Sequence, residues 1–335
     1  MTLPGEHMRR ELAQAPAVFA NTLRTVISAS NAAQIASLHP TAIYTIARGS
    51  SDAAANILSY EFMRELGIPM TSLPPSIFSV GRGVDLTGAM ILVVSQSGAS
   101  NDLVLSAKGA RARGATVIGL INALDSPVAK HAHITLPIGA GAERAVPATK
   151  SVLGSIAAGM ALLCQLSPTY AARAQASTAS FDTISPTLPQ SRSLLAALAS
   201  AHHIYVIGRD TGYGAAQELA LKLKETCALH AEAYSSSEVL HGPLQLATNP
   251  LLILILDTEQ PDVQASLNTA EARFQSAGGT TFRLRPSDIG AQNLTPAAAA
   301  AMLLCLTYPL VLATALALGH DPDRPETLSK ITQTI

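Results

Sequence analysis

The apolar positions of the first half fall into short continuous runs separated by longer stretches of helical period. Residues 41–46, 89–94, 116–121 and 134–137 are apolar, rich in β-branched side chains and bounded by turn-forming residues, which predicts strands. Between them, residues 52–66 and 100–113 place their apolar side chains every three to four positions and predict helices, the second closed by Gly114. Residues 4–28 and 149–166 predict two more helices, before and after this unit. Strands apolar on both faces that alternate with helices predict a parallel sheet covered on both sides, an α/β fold.

Residues 167–193, rich in Ala, Ser, Thr and Pro, predict an inter-domain helix and linker, after which the pattern restarts. Ile43-Tyr44-Thr45-Ile46-Ala47-Arg48 is echoed by Ile204-Tyr205-Val206-Ile207-Gly208-Arg209, each followed by a short loop and an Ala-rich helix. Residues 90–94 are echoed by 252–256. Two copies of one unit explain this better than two unrelated domains. The expected division is 1–166, linker helix 167–193, second unit 194–320 and a tail 321–335.

Length agrees, since 335 residues suit two domains of ordinary size. Charged residues make up only 13%, about half the usual share of roughly 25%. A surface so poor in charge predicts burial between subunits, and a homodimer is expected. A net charge of −1 without a basic run leaves no footprint for nucleic acid. Cys164, Cys227 and Cys305 sit in apolar helical patterns and are expected to be buried free thiols of a reducing, cytoplasmic compartment. The polar first ten residues do not read as a signal peptide. Residues 295–319 carry no charge and are long enough to span a bilayer. Their Thr307, Tyr308, Pro309 and initial alanines favour a buried core or interface helix, so no membrane partner is expected.

Candidate chemistry concentrates in three places. Ser95-Gln96-Ser97-Gly98-Ala99-Ser100 joins a strand to a helix, where a tight glycine turn and free helix amides suit a phosphate, with Ser95, Ser97 and Ser100 adding hydroxyls. Arg48-Gly49-Ser50-Ser51 follows the first strand and would lie beside it at the carboxyl edge of the sheet. An ordinary polar turn with a serine cap is the alternative for either loop alone. The second copy carries the acidic Asp257-Thr258-Glu259-Gln260-Pro261 instead, which suits no anion. No lysine stands in a nucleotide-binding pattern, and no histidines stand at ligand spacing with carboxylates, so neither metal nor cofactor is expected.

Lys222, Lys224, Glu225, His230, Glu232, Glu238 and His241 crowd into about twenty residues of a charge-poor chain. Moving a proton between adjacent sugar carbons needs a carboxylate or imidazole there; a solvated helix face with ordinary ion pairs is the alternative. The last residues, with Pro322 and Pro325 ahead of Lys330, predict an extended tail.

Together, Ser95-Gln96-Ser97-Gly98, Leu221-Lys222-Leu223-Lys224-Glu225, His230-Ala231-Glu232-Ala233-Tyr234, Leu240-His241-Gly242-Pro243 and the tail Asp323…Pro325…Leu328-Ser329-Lys330 resemble the double-domain branch of the sugar isomerase (SIS) family. The motifs look like the isomerase half of glucosamine-6-phosphate synthase. The segments Ala47-Arg48-Gly49-Ser50-Ser51-Asp52 and Glu143-Arg144-Ala145-Val146-Pro147-Ala148-Thr149-Lys150 look more like the stand-alone glucosamine-6-phosphate deaminases of that branch. The glutaminase domain of the synthase, with its leading cysteine, is not expected in this chain.

The resemblance implies two tandem SIS domains, each a parallel sheet flanked by helices in a flavodoxin-like three-layer sandwich. It implies phosphate contacts from Ser51, Ser95, Gln96, Ser97 and Ser100, beside Arg48, Gly49 and Ser50, with Val146 near the sugar. It implies that Glu225 shuttles a proton between C1 and C2, that His241 opens the ring and that Lys330 corresponds to a Schiff-base lysine. Glu225 and His241 are expected to meet the phosphate loop across the boundary of a dimer with shared active sites. Glu326 stands where the synthase has Arg, a departure within the tail. The implied activity is deamination of glucosamine 6-phosphate to fructose 6-phosphate and ammonia. The alternatives are deglycation of a fructosamine 6-phosphate, another phosphosugar isomerisation, and a sugar-phosphate sensor without catalysis.

Overall fold

The computed structural model, which describes residues 3–184 and 188–330, builds two parallel sheets from two runs of strands and helices. After α1 (Glu6–Thr25) and α2 (Ala29–Ala36), the first run is β1 (Ala42–Ile46), α3 (Ser50–Leu66), β2 (Met70–Ser72), α4 (Ser76–Ser79), β3 (Ala89–Ser95), α5 (Asn101–Ala112), β4 (Thr116–Ile121), β5 (Ile134–Pro137) and α6 (Lys150–Leu166). Helices α7 (Pro168–Thr183) and α8 (Ser191–Ser200) lead into the second. It comprises β6 (Ile204–Gly208), α9 (Thr211–Cys227), β7 (Ala231–Ser235), β8 (Leu252–Leu256), α10 (Pro261–Ser276), β9 (Thr280–Leu284) and α11 (Pro296–Ala317).

The sheet orders are β2-β1-β3-β4-β5 and β7-β6-β8-β9. Every pair is parallel, with Thr45 opposite Leu92 and Val206 opposite Leu254 in the two central pairings. The second sheet thus repeats the first without its fifth strand, as the repeated motifs predict. In each, the chain leaves the central strand to one side and returns on the other, which opens a crevice at the carboxyl ends of the strands.

Strands β3 and β8 are buried along their whole length because both faces are covered. Met90, Leu92 and Val94 face one core, and Leu252, Leu254 and Leu256 face the same core from the other sheet. Helices α1, α3, α6, α7, α9 and α11 fill this shared layer. Ile91 and Val93 pack outward under α5, and Ile253 and Ile255 under α10. Helix α7 belongs to the shared layer, with Phe181 stacked on Phe19 of α1 at 4.0 Å between ring centres.

Helix α11 is long and apolar enough to cross a membrane, yet most of it lies inside the protein against α9, α1 and α8. The three cysteines are buried, and burial pushes their thiols up, Cys305 to about 12.

The strands that the apolar pattern leaves unannounced, β2, β7 and β9, are all sheet edges. Only Met70 is buried in β2, while Glu232 and Arg283 occupy β7 and β9. An edge strand meets the core on little of its surface and so lacks a continuous apolar run.

Candidate functional site

Both polar loops of the first unit end at one crevice. Gly98 turns the second loop with φ 59°, and its amide donates to Ser95 Oγ at 2.9 Å. A Cβ at Gly98 would sit 2.2 Å from Ser126 Oγ, so the loop lies flush against the turn after β4, and Gly98 O accepts from the Val128 amide at 3.1 Å. Ser100 is the N-cap of α5 and its side chain caps no amide there, so the helix N-terminus opens at the crevice that Ser100 lines. The first loop runs Arg48-Gly49 into α3, which begins at Ser50.

A cavity of about 310 Å³ opens there. Arg48, Gly49, Ser50 and Ser51 line it from the first loop, and Ser95, Gln96, Ser97 and Ser100 from the second. Val146 and Ala148 contribute from the segment before α6, and Leu328, Ser329 and Lys330 from the tail. Glu225 completes the lining from the last turn of α9, in the second unit. Of the tail, residues 331–335 lie outside the described residues.

Glu225 reaches this cavity within its own chain, which corrects the expectation that it crosses a subunit boundary. The cause is close helix packing. A Cβ at Gly214 of α9 would lie 2.8 Å from the Ile57 amide nitrogen of α3, so the two backbones nearly touch. Leu221, one turn before Glu225, then sits beside Gly49 of the first loop. His241 is exposed, on the turn that follows Glu238–Leu240, and is not among the residues lining the cavity. The Tyr205 hydroxyl donates to Pro243 O at 3.2 Å and holds that turn in place.

The electrostatics are built from paired groups. Arg48 Nε donates to the buried Asp102 carboxylate at 2.9 Å, which ties the guanidinium beside the serine-rich loop. On α9, Glu218, Lys222 and Glu225 share one face through their i,i+4 and i,i+3 spacing. Lys222 is fully buried, ion-paired to Glu225 and 3.6 Å from Glu218. Burial works to lower the Lys222 pKa, but Glu218 and Glu225 together hold it above its ordinary value. Burial pushes Glu218 up to about 7, with Lys222 opposing and Glu225 adding to the rise. Tyr308 of α11 donates to Glu218 Oε1 at 3.1 Å.

Lys330 is anchored by Glu143 Oε2 at 3.2 Å and Ala145 O at 2.6 Å. Glu218 and Asp102, which carry this framework, were not singled out by the sequence motifs, and Glu143 entered only as the first residue of a motif, without a role. The signal for Asp102 and Glu218 was weak, since a single carboxylate on a helix reads as an ordinary surface group. No group of three or more His, Cys, Asp or Glu suited to a metal ion occurs among the described residues.

The second copy has neutralised the corresponding loop. Asp257 stands where Ser95 stands in the first, buried and bonded to Arg283 Nε at 3.0 Å and Arg285 Nε at 3.3 Å. Glu259 accepts from the amide and hydroxyl of Ser287. The acidic groups are satisfied from within.

Residues 39–164 and 197–281 match the family model described as SIS domain. The chain belongs to the SIS domain family. Among curated relatives, the glutamine–fructose-6-phosphate aminotransferase (isomerizing) of Aeropyrum pernix is 29% identical over 96% of this chain and 56% of its own length. The chain spans about half the length of the curated relatives it matches. A solved structure from Silicibacter pomeroyi DSS-3, described as a candidate phosphosugar isomerase, is 31% identical with a TM-score of 0.81, covering 95% of this chain and 99% of that one. A glucosamine-6-phosphate deaminase from Thermotoga maritima shares the fold at 20% identity and a TM-score of 0.77, covering 98% of this chain and all of that one. The tandem SIS architecture thus joins one polar cavity of the first domain to a carboxylate of the second.

Proposed function

We propose that this SIS protein is an amino-sugar phosphate deaminase that converts glucosamine 6-phosphate and water to fructose 6-phosphate and ammonia. One observation carries the reading: two serine-rich loops at a helix N-terminus and the carboxylate of Glu225 line the same cavity. The loop amides and the hydroxyls of Ser51, Ser95, Ser97 and Ser100 would hold the phosphate dianion, with Gln96 and Arg48 beside it. With the phosphate fixed, the sugar extends past Val146 towards Glu225. Glu225 takes the C2 proton of the open-chain amino sugar and returns it at C1, leaving an imine at C2. Water adds to that carbon and ammonia leaves. The array of buried Glu218 and Lys222 with half-buried Glu225 favours an enzyme over a sensor, because burying charges is costly and binding alone does not require it.

His241 would open the sugar ring from the partner subunit of a homodimer, since in its own chain it stands exposed and away from the lining. Motif similarity of the segment from Ala47 to Asp52 supports deamination over synthesis. The 31% identity to a candidate phosphosugar isomerase favours, as a second reading, aldose–ketose isomerisation or deglycation on the same cavity.

The purified chain is incubated with glucosamine 6-phosphate, a fructosamine 6-phosphate and plain hexose 6-phosphates. Ammonia and fructose 6-phosphate from the first are expected. Binding without ammonia release, or turnover confined to another member of the panel, replaces deamination by the second reading.

A further inference from the structure

We infer that Lys330 works in this cavity as a fixed ammonium seated on Glu143, not as an amine that attacks a carbonyl, and that Glu143 is its positioning residue. The inference rests on the sugar-phosphate reading of the cavity and deepens it.

The seat is held by partners outside the tail. Glu143 is buried in the segment between β5 and α6, and its carboxylate accepts from the Thr149 amide at 3.0 Å, the Ser151 amide at 3.1 Å and Ser151 Oγ at 2.6 Å. Burial alone would raise its pKa, but the Lys330 charge and the Ser151 and Thr149 donors hold the carboxyl below its ordinary value. A second carboxylate braces the seat from behind. Glu11 of α1 accepts from the amides of Arg144 and Ala145, fixing the backbone that leads into the carbonyl receiving Lys330.

The tail is pinned at its other end as well. Asp323 accepts from the His7 and Met8 amides at the start of α1, at 2.7 and 2.8 Å, and Asp321 accepts from the Gly5 amide at 2.9 Å. Helix α1 therefore carries both the root of the tail and the brace of its seat, and the reach of Lys330 is set from two sides.

The partners favour a cation at this position. A carboxylate and a peptide carbonyl only accept, so the Lys330 nitrogen meets them with N–H bonds, and an ammonium there pairs the buried Glu143 charge that a neutral amine would leave unpaired. Among the described residues two of the three ammonium donors are committed, which leaves one for the cavity that Lys330 lines. A donor-bearing cation there, in the same cavity as Glu225, stabilises the negative charge that develops as a proton leaves the sugar carbon. An amino sugar brings its own nitrogen, so its deamination calls for no lysine imine.

The test uses the full chain and fructose 6-phosphate at a concentration that calorimetry shows to be saturating. Borohydride is added, and intact mass and peptide mapping read any sugar adduct. No adduct at Lys330 is expected, and a stoichiometric adduct there overturns the inference. In parallel, the dissociation constant is measured for Lys330→Met, Lys330→Arg, Glu143→Gln, Glu143→Asp and the double variant Glu143→Gln/Lys330→Met. Loss of one charge-assisted hydrogen bond predicts about tenfold weaker binding for Lys330→Met and Glu143→Gln, with the double variant no weaker than Lys330→Met. Lys330→Arg, which keeps the charge and cannot form an imine, and Glu143→Asp should recover most of the affinity. Factors that multiply in the double variant, or an arginine as damaging as methionine, refute the pairing. These readouts do not depend on ammonia release, so a chain that binds but does not deaminate loses the deaminase reading alone. Failure of the wild type to bind any hexose 6-phosphate sinks both.

Discussion

Glu61 offers the sharpest test of the energetic reasoning, because it is a carboxyl group enclosed in the shared helical layer without a cation on it. It lies on α3, fully buried, beside the Tyr170 hydroxyl of α7 and Thr295 at the start of α11, and neither of its oxygens makes a hydrogen bond of normal geometry. Burial pushes its pKa from 4.5 to about 7, with Tyr170 and Arg64 opposing the rise. Below pH 4.5 Glu61 is protonated in both the folded and the unfolded chain. Between 4.5 and 7 the unfolded chain ionises first, so stability falls as pH rises, and above 7 the loss is complete. A gap of this size corresponds to about 3 kcal/mol, at about 1.4 kcal/mol per pH unit. Glu61→Gln removes the titration and keeps the shape. Urea denaturation followed by circular dichroism at pH 5 and pH 8 should show the variant gaining about 2 to 3 kcal/mol on the wild type between the two conditions. Parallel pH profiles for the two proteins would refute the assignment of Glu61 as a buried, protonated acid.

Two further outcomes test the cavity itself. Gly98→Ala places a methyl group against Ser126 and imposes a positive φ on alanine, so the loop must move. We expect about tenfold or greater loss of inorganic phosphate affinity by calorimetry with little change in melting temperature, partly recovered by adding Ser126→Gly; unchanged affinity removes the loop from the site. For the proposed dimer, Glu225→Gln and His241→Ala should each abolish turnover, since each removes one of the two acid–base groups. Refolding an equal mixture of the two should restore about a quarter of wild-type activity, because half the dimers are hybrids with one intact site. No recovery would place His241 in the service of its own chain or of none.

Much of this molecule was legible in the amino-acid order because its signals are local. The continuous apolar runs at 89–94 and 252–256 mark strands covered on both faces, and those strands are the buried centres of the two sheets. The repeated segment around Tyr44 and Tyr205 marks β1 and β6, the first strands of two units with one strand order. The serine loop with Gly98 shows its turn, since a glycine between a strand and a helix specifies backbone geometry within a few residues. Each of these readings needs only neighbours along the chain.

Tertiary structure decided what such neighbours cannot. That Glu225 enters the cavity of its own chain follows from α9 packing on α3 at Gly214, a contact between residues far apart in sequence. That Lys330 finds Glu143, and Asp323 the start of α1, depends on where the tail crosses the surface of the shared layer. Glu61, Asp102 and Glu218 are single acidic letters in the sequence, and only burial by helices from elsewhere turns them into functional or costly groups. The strands and loops were written locally because backbone geometry and apolar period act over a turn or two. The cavity was not, because it exists where two domains share one core.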